Sequence, residues 1–323
     1  MQLGFRVDTI SPADDPTIAS VSGFGTRFRL VRDASRPGGT LRLTCRDPAR
    51  LTNDLDAGGL SIELVAEDSP LALPPLRSSF VVTRNDPVAW HLGRAGMEYR
   101  DLIPDRLGGR FIASHVRIRA GGEVPDYVHF HAIRFQMIYC VQGWVRLVYE
   151  DQGAPFVMRA GDCVVQPPKI RHRVLECSPG LEVIEIGTPA VHATHADHVM
   201  SLPTHDVRVE REFSGQRFHW HRADEPLVAR SLGIGDATRG TAAARVVGGA
   251  EHGERIHDAE LLFGFVLRGA MTLQSESQTE RVTAADAFVL PPERSFALHD
   301  ATADLAWLEV TLPAAVTYQR CEK

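Results

Sequence analysis

Apolar and polar residues alternate over short runs along most of the chain, and sustained helical periodicity is scarce. The alternating runs predict β-strands, because successive strand residues face opposite sides of a sheet. Turn residues separate these runs at Gly121-Gly122, Asp151–Gly153 and Gly161-Asp162. Many short strands at close, regular spacing indicate an antiparallel sandwich or barrel. The runs that predict strands most clearly are Phe111–Arg119, Phe135–Val141, Trp144–Tyr149, Cys163–Gln166 and Leu181–Ile186.

The strand pattern repeats once along the chain. The segment GDCVVQPPK at Gly161–Lys169 returns as ADAFVLPPE at Ala285–Glu293, and the run ending YCVQGWVRLV is echoed by FVLRGAMTL. A period of about 125 residues is too long for a solenoid and suits duplicated domains. We therefore predict two copies of one barrel, with an N-terminal segment at residues 1–85 and barrels at 86–200 and 201–323.

The N-terminal segment differs in character from the two copies. Its central part reads as strand, helix and strand, since Asp47-Pro48 resembles a helix N-cap followed by proline, and Gly58-Gly59 resembles a C-cap. It is either a small α+β domain or an elaboration packed on the first barrel.

Two stretches of the first copy carry residues that are typical metal ligands. In HFHAIRFQMIYCVQG, His129 and His131 are two apart, so on a strand both face the same side, and Gln136 follows five residues later. His172 follows Pro167 by five residues in the second stretch. Neutral imidazoles that converge from rigid strands are suited to binding a divalent metal.

The spacings are similar to the two motifs of the cupin superfamily: HxH, four residues, Glu, six residues, Gly; then Gly, five residues, Pro, one residue, Gly, two residues, His. The resemblance covers about residues 90–200 well and 215–315 more weakly. It implies a mainly β fold of two antiparallel cupin barrels (double-stranded β-helices, or jelly rolls) with a small N-terminal α+β elaboration. It also implies one divalent transition metal per chain (Fe, Mn, Ni, Zn or Cu), held by His129, His131, Gln136 and His172.

Two positions depart from the motifs. Lys169 stands where the second motif has Gly, which concerns a turn. Gln136 stands where the first motif has Glu, and its neutral amide would leave the metal its full charge, which favours Lewis acidity and disfavours a higher oxidation state. Alternatively, Gln136 orients a ligand, and three histidines leave open positions for substrate or water. Gln at this position resembles some polyketide-cyclase-like cupins.

The second copy does not keep the ligand types. Counting from its turn residues, the corresponding positions are Arg255, His257, Leu262 and Phe296. A barrel that loses its metal ligands can refill its interior with apolar side chains. We therefore predict a second barrel without metal, with a structural role or a role in dimerisation.

Other side chains near the motif are candidates for substrate contact. Arg134 is two residues before Gln136, so a regular strand would place its guanidinium in the barrel mouth, where it would bind a carboxylate or an enolate oxygen. A position on the outer face is the alternative. Tyr127 and Phe130 flank His129; either could line the mouth, and Phe130 fits core packing better.

Two further groups of histidines do not fit the motif spacing. His192, His195 and His198 recur every three residues, and we interpret them as part of an exposed connector. His219 and His221 form another HxH, but no acid, amide or glycine follows at the motif spacing, so we interpret them as a strand start without a metal site.

Composition and charge limit the kinds of partner and the cellular compartment that we expect. The chain has 323 residues, 44% of them apolar, and a net charge of -6 without a dense basic stretch, which argues against nucleic acid or a membrane as partner. Five widely spaced cysteines without CxxC, and no signal-like N-terminus, predict reduced thiols in a cytoplasmic protein. Only Lys169 and Lys323 of the 35 basic residues are lysine, which we attribute to a GC-rich bacterial genome.

The resemblance implies a metal-dependent enzyme that acts on a small organic substrate, most commonly an oxygenase-type oxidoreductase. Arg134 would anchor substrate, and Gln136 would be a weak ligand or an orienting residue. A non-redox Lewis-acid cyclase or isomerase is the first alternative, and a non-catalytic binder of a small ligand is the second. The resemblance also implies that a homodimer can form.

Overall fold

The protein is described by a computed structural model, in which the described residues are 5–23, 26–32, 40–45, 61–66, 71–224, 231–249, 253–276 and 278–321. Within these ranges almost all regular structure is β-strand, which confirms the predicted fold class. Their helical structure consists of short turns at Arg94–Gly96, α1 (Arg106–Gly109) and α2 (Ile234–Ala237). None of the helices in the described ranges is long and apolar enough to cross a membrane.

The strands fall on either side of residue 200. Those before it are β1 (Arg6–Ser11), β2 (Ile18–Gly23), β3 (Thr26–Val31), β4 (Thr40–Cys45), β5 (Ser61–Ala66), β6 (Val81–Thr83), β7 (His91–Leu92), β8 (Glu98–Asp101), β9 (Ile112–Ile118), β10 (Gly122–Glu123), β11 (His129–Ala132), β12 (Phe135–Gln142), β13 (Trp144–Tyr149), β14 (Phe156–Arg159), β15 (Cys163–Val165), β16 (His172–Cys177), β17 (Leu181–Thr188) and β18 (Ala193–Ala196). Those after it are β19 (Glu212–Phe213), β20 (Gln216–Arg217), β21 (His219–His221), β22 (Ala243–Gly248), β23 (Arg255–His257), β24 (Leu261–Arg268), β25 (Ala270–Ser275), β26 (Gln278–Thr283), β27 (Ala287–Leu290), β28 (Phe296–His299), β29 (Ala306–Leu312) and β30 (Tyr318–Arg320).

Two antiparallel sheets form the first barrel. One has the order β14-β13-β16-β11-β18, is extended by β1-β2-β3, and has β10 paired with β16. The other has the order β21-β15-β12-β17-β9-β8-β7. Residues from both sheets line one interior cavity, so the sheets face each other across it. The second barrel pairs a sheet of order β22-β29-β24-β27-β6 with one of order β26-β25-β28-β23-β30, and both contribute to one apolar core.

The repeat seen in the sequence recurs in the backbone. Gly161 and Ala285, which open the repeated segment, have φ of 93° and 66°. Lys169 and Glu293, eight residues later in each copy, have φ of 66° and 60°. The position where the cupin motif has glycine is thus left-handed in both barrels, although neither residue is glycine.

The outer faces of the two barrels pack against each other. Phe135 and Met137 of β12 belong to the same buried core as Phe263 and Phe265 of β24. In addition, β6 pairs with β27 of the second barrel, and β21 pairs with β15 of the first. Strands therefore cross both boundaries that we predict, at 85/86 and 200/201, and those boundaries stay a prediction.

The N-terminal segment packs on the first barrel through β1, which pairs with β18. Strands β4 and β5 form a separate parallel pair, the arrangement that a strand–helix–strand unit produces. The helix caps predicted at Asp47-Pro48 and Gly58-Gly59 lie outside the described residues.

Candidate metal centre

Three histidines meet inside the first barrel. His129 and His131 lie on β11 and face the same side of it, as strand alternation requires. His172 opens β16, which pairs with β11 so that His172 stands opposite His129. One ring nitrogen of each histidine lies within 4.8 Å of the others, and all three side chains are buried. The histidines of the two sequence motifs thus form a single cluster.

Backbone carbonyls orient two of the rings. The Nδ1 atom of His129 lies 2.8 Å from the carbonyl oxygen of Tyr127, and that of His172 lies 3.1 Å from the carbonyl of Ile170. A carbonyl can only accept, so each Nδ1 carries the hydrogen and each Nε2 keeps its lone pair. An imidazole held in this way is prepared for metal ligation through Nε2.

The third ring is held from β18, where Thr194 Oγ1 lies 2.9 Å from Nδ1 of His131. Burial lowers the pKa of His129 and of His131 well below the ordinary value, and it lowers the pKa of His172 to about 4. All three rings are therefore neutral near pH 7, which is the protonation state of a metal ligand.

Gln136 is buried and lines the same cavity. Its Nε2 donates a hydrogen bond of 2.9 Å to Oε1 of Glu185 on β17. Because an ionised carboxylate can only accept, this bond fixes the amide so that Oε1 of Gln136 is the atom available to a metal. Burial raises the pKa of Glu185, and the Gln136 hydrogen bond acts in the opposite direction.

Arg94 also lines the cavity. Its Nη1 pairs with Asp126 at 2.7 Å, and its Nη2 lies 2.9 Å from Nε2 of His129. Burial opposes the charge on Arg94, but Asp126 outweighs it and the pKa of the guanidinium is raised. Three imidazoles and an amide oxygen fit a divalent transition metal, on the condition that Arg94 releases His129.

The remaining lining makes a small cavity of about 80 Å³ that is polar near the histidines and apolar elsewhere. Four polar side chains in it have buried atoms without a hydrogen-bond partner in the described part of the chain: Asp14, Tyr149, Gln166 and His192. The apolar lining includes Met97, Val116, Ile118, Ile138, Val145, Leu147, Leu181 and Val183.

Comparison with known proteins agrees with this geometry. Residues 114–183 match a family model described as a cupin domain. This part of the first barrel is therefore similar to a cupin domain.

Three solved structures illustrate the similarity of this chain to known folds. A variant of the salicylate 1,2-dioxygenase from Pseudoaminobacter salicylatoxidans, in complex with gentisate, has a TM-score of 0.55 and 16% identity over 78% of this chain and 88% of that chain. An oxalate decarboxylase has a TM-score of 0.53 and 13% identity over 78% and 80% of the two chains. The protein Ylba from E. coli has a TM-score of 0.53 and 12% identity over 74% and 93%. No curated protein matches the sequence.

The structure places Arg134 outside the cavity. Strand β12 begins at Phe135, so the alternation that puts Gln136 inside does not extend back to Arg134. The guanidinium of Arg134 lies 3.9 Å from the carboxylate of Glu260 in the second barrel. Phe130 likewise lines a different, surface pocket together with Arg134.

Several residues of the cavity were missed by the sequence interpretation. Arg94 and Asp14 come from segments without a motif, and Glu185 lies in a strand whose two faces each carry an acid. His192 is buried in the cavity, so its placement on an exposed connector is wrong, whereas His198 is exposed. Nε2 of His192 is buried and has no hydrogen-bond partner among the described residues, and no pattern in the sequence signals this.

In the second barrel, the positions that correspond to the ligands carry no comparable cluster among the described residues. Leu262 and Phe296 belong to the apolar core. His257 is buried, with Nε2 at 3.1 Å from the carbonyl of Leu290 and Nδ1 accepting from the backbone nitrogen of Ala259. Both ring nitrogens of His257 are therefore engaged by the backbone, which gives this histidine a structural role.

Proposed function

We propose that the first barrel binds one divalent transition metal and that the protein is a metal-dependent enzyme of the oxygenase type, acting on a small organic substrate. The ligands are His129, His131 and His172, with Oε1 of Gln136 as the fourth. The observation that supports this most strongly is that three neutral rings gather ligand nitrogens within 4.8 Å of one another. A metal bound there would supply Lewis acidity and, if redox-active, a route for reaction with oxygen.

Arg94 is proposed to hold an anionic group of the substrate. Once His129 is a metal ligand, Nη2 of Arg94 loses its partner, while Asp126 continues to hold Nη1. A largely buried guanidinium with one fixed edge is a suitable anchor for a carboxylate or an enolate oxygen. The sequence suggests Arg134 as the substrate anchor; we assign that role to Arg94, because Arg94 lines the cavity.

The names of two structural neighbours support a small organic acid as substrate. A salicylate 1,2-dioxygenase and an oxalate decarboxylase share this fold, and both names describe enzymes of small carboxylic acids. The apolar walls of the cavity would keep bulk water from the reacting groups. A bacterial, cytoplasmic protein and a homodimer stay predictions.

Non-redox chemistry is the second candidate, and the pair Gln136–Glu185 favours it. The neutral amide of Gln136 leaves a bound metal its full positive charge, which suits Lewis-acid catalysis. The carboxylate of Glu185, 2.9 Å from the Gln136 amide nitrogen, lines the same cavity and could take a proton from substrate. Oxygen consumption with the Fe(II) form supports the oxygenase, whereas full turnover by the Zn(II) form without oxygen supports cyclisation or isomerisation.

Metal analysis of natively purified protein tests the site. We expect about one equivalent of metal in the wild type and a large loss in His131→Ala, because a three-histidine site loses a ligand. The matched control is His257→Ala, which changes the corresponding position of the second barrel and should keep its metal. If His131→Ala retains the metal content of the wild type, the assignment fails. Metal with tight ligand binding but no turnover would instead favour a non-catalytic binder.

A further inference from the structure

Two neutral side chains in the metal cavity lack hydrogen-bond partners. Neither atom of the Gln166 amide, Nε2 or Oε1, has a partner among the residues that the structure describes, and the same holds for the hydroxyl of Tyr149. Both side chains are 1% exposed and line the cavity. Buried amides and hydroxyls are almost always paired, so a wholly unpaired glutamine in a barrel core indicates that a ligand or water completes it.

Each side chain lies next to a proposed metal ligand, and the two come from the two sheets that face each other across the cavity. The backbone nitrogen of Gln166 donates to the carbonyl of Gln136 at 3.0 Å, which places Gln166 beside Gln136 on the adjoining strand. Tyr149 pairs with His172 in the opposite sheet, and the two rings stack with centroids 5.5 Å apart. A molecule held at the metal would therefore meet Tyr149 from β13 and Gln166 from the end of β15.

The side chains of this subsite are neutral. The other described residues of β13 that line the cavity are Val145 and Leu147, which are apolar. An amide offers a donor and an acceptor, and a phenol hydroxyl offers both as well. The ligand group that satisfies them is neutral and carries its own donor and acceptor, such as a hydroxyl or a carboxamide.

The size of the cavity limits the rest of the ligand. Its volume is about 80 Å³. A cavity of about 150 Å³ is known to accept benzene, so this one has about half the volume of a cavity that holds an aromatic ring. A short aliphatic chain fits the available space better than an aromatic acid does.

We propose that Tyr149 and Gln166 form a polar subsite that selects short aliphatic acids bearing a hydroxyl or a carboxamide over both plain aliphatic acids and aromatic acids. The inference rests on the proposed function in one respect, since the carboxylate is assigned to Arg94 and the metal. Gln166 and Tyr149 determine specificity and act on the far end of the same molecule.

Calorimetric titration of four acids tests the subsite: butyrate, 4-hydroxybutyrate, succinamate and salicylate. We expect 4-hydroxybutyrate and succinamate to bind the Zn(II)-loaded wild type about tenfold more tightly than butyrate, because each fills partners that are otherwise unpaired. Gln166→Met and Tyr149→Phe should reduce that preference to about threefold or less and leave the affinity for butyrate nearly unchanged. Salicylate should bind more weakly than 4-hydroxybutyrate.

Matched controls separate the subsite from general effects. Tyr139→Phe removes a phenol hydroxyl in the core between the barrels, and Gln142→Met removes an exposed amide, so both should keep the wild-type preference. Gln166→Met should also unfold at the same temperature as the wild type or higher, because it replaces an unpaired amide by an apolar chain of similar shape. A lower melting temperature would indicate a structural amide and overturn the proposal.

Three binding results would also overturn it. They are an unchanged preference in both Gln166→Met and Tyr149→Phe, tightest binding of salicylate, and no binding of any of the four acids. Repeating the titrations without metal distinguishes this failure from failure of the metal site. A protein that binds no Zn(II) but keeps a preference dependent on Gln166 would disprove the metal-dependent function and retain the subsite.

Discussion

Nη2 of Arg94 donates a hydrogen bond of 2.9 Å to Nε2 of His129, the same ring nitrogen that the proposed metal site requires. The Nδ1 hydrogen of His129 is committed to the carbonyl of Tyr127, so the ring cannot offer its other nitrogen. The guanidinium and a metal ion therefore compete for one lone pair. An ion pair with Asp126, whose carboxylate is fully buried, keeps Arg94 next to His129.

Variants that lack Arg94 should separate its effect on stability from its effect on metal binding. Arg94→Met leaves the buried charge of Asp126 without its partner, and we expect a loss of about 3–5 kcal/mol in the free energy of unfolding. Adding Asp126→Asn should recover most of this loss, because the uncompensated charge disappears. The double variant should bind Zn(II) about tenfold more tightly than the wild type, since one hydrogen bond to His129 no longer has to be broken.

Urea unfolding and Zn(II) titration of the two variants measure these effects. Weaker Zn(II) binding by the double variant would show that Arg94 supports the metal site and does not compete with it. Equal stability of Arg94→Met and the double variant would contradict the assigned role of the Asp126 charge.

Gln136→Glu restores the residue of the cupin motif but should weaken the metal-free protein. It would place a second carboxyl group beside Glu185, where Gln136 Nε2 is now 2.9 Å from Glu185 Oε1. Two carboxylates at that distance repel unless one holds a proton, so we expect a loss of roughly 1–3 kcal/mol near pH 7. Saturating Zn(II) should reverse the loss, because the new carboxylate would neutralise part of the metal charge.

Thermal unfolding of Gln136→Glu with and without Zn(II) measures this. The control is Gln136→Glu combined with Glu185→Gln, which exchanges the amide and the acid and should regain stability without metal. A metal-free Gln136→Glu variant as stable as the wild type at pH 7 would mean that the two side chains do not share one buried environment.

Stability should fall on mild acidification. Burial lowers the pKa of His172 to about 4, against 6.5 for the ordinary ring. Between these values the unfolded chain takes up a proton that the folded chain refuses, so stability is complete above pH 6.5 and declines as the pH falls towards 4. A shift of this size corresponds to roughly 3 kcal/mol lost by pH 4, and the lowered pKa values of His129 and His131 act in the same direction.

Urea unfolding of the metal-free protein at pH 7.5, 5.5 and 4.5 tests the sign. The metal content should fall over the same pH range, because protonated imidazole cannot ligate. His172→Phe should show a shallower decline than the wild type. A wild type whose stability is flat between pH 7.5 and 4.5 would contradict neutral, buried rings.

Lys169→Gly should stabilise the protein. Lys169 has φ of 66°, in a region that glycine adopts without the steric cost of a Cβ atom. Relief of that cost, less the greater freedom of glycine in the unfolded chain, should give about 0.5–1 kcal/mol. The opposite change, Gly161→Ala, should destabilise, since φ is 93° there and an added Cβ would lie 2.7 Å from the Cβ of Ala223.

Differential scanning calorimetry of both variants checks the two signs. Glu293→Gly is the matched change in the second barrel, where φ is 60°, and it should raise the melting temperature by a similar amount. A fall in the melting temperature for both Lys169→Gly and Glu293→Gly would show that their side chains contribute more than the backbone cost.

The cluster of histidines was predictable because its geometry is local. His129 and His131 share a strand face by alternation, and the pairing of β11 with β16 brings His172 opposite His129. The spacing of the histidines along the sequence is therefore enough to predict that their side chains lie close together. The same reasoning failed at Arg134, because alternation holds only within a strand and β12 begins one residue later.

The remainder of the cavity depends on contacts distant in sequence. In β17, Leu181, Val183 and Glu185 face the cavity, whereas Ile184 and Ile186 face the second barrel with Glu182 in phase. Each face of β17 has one acid among apolar residues, so the alternation of the sequence does not distinguish whether Glu182 or Glu185 faces the cavity. Arg94 precedes the strands of the motif and reaches His129 through a short helical turn, for which the sequence offers no signal.

The core between the barrels has a consequence for how this chain can change over evolution. Phe135 and Met137 flank Gln136 on β12, and their buried side chains rest on Phe263 and Phe265 of the second barrel. A chain shortened to one barrel would expose this apolar face to water, so the duplication can no longer be reversed by a simple deletion. The second barrel thus covers the apolar outer face of the first, whatever its interior binds.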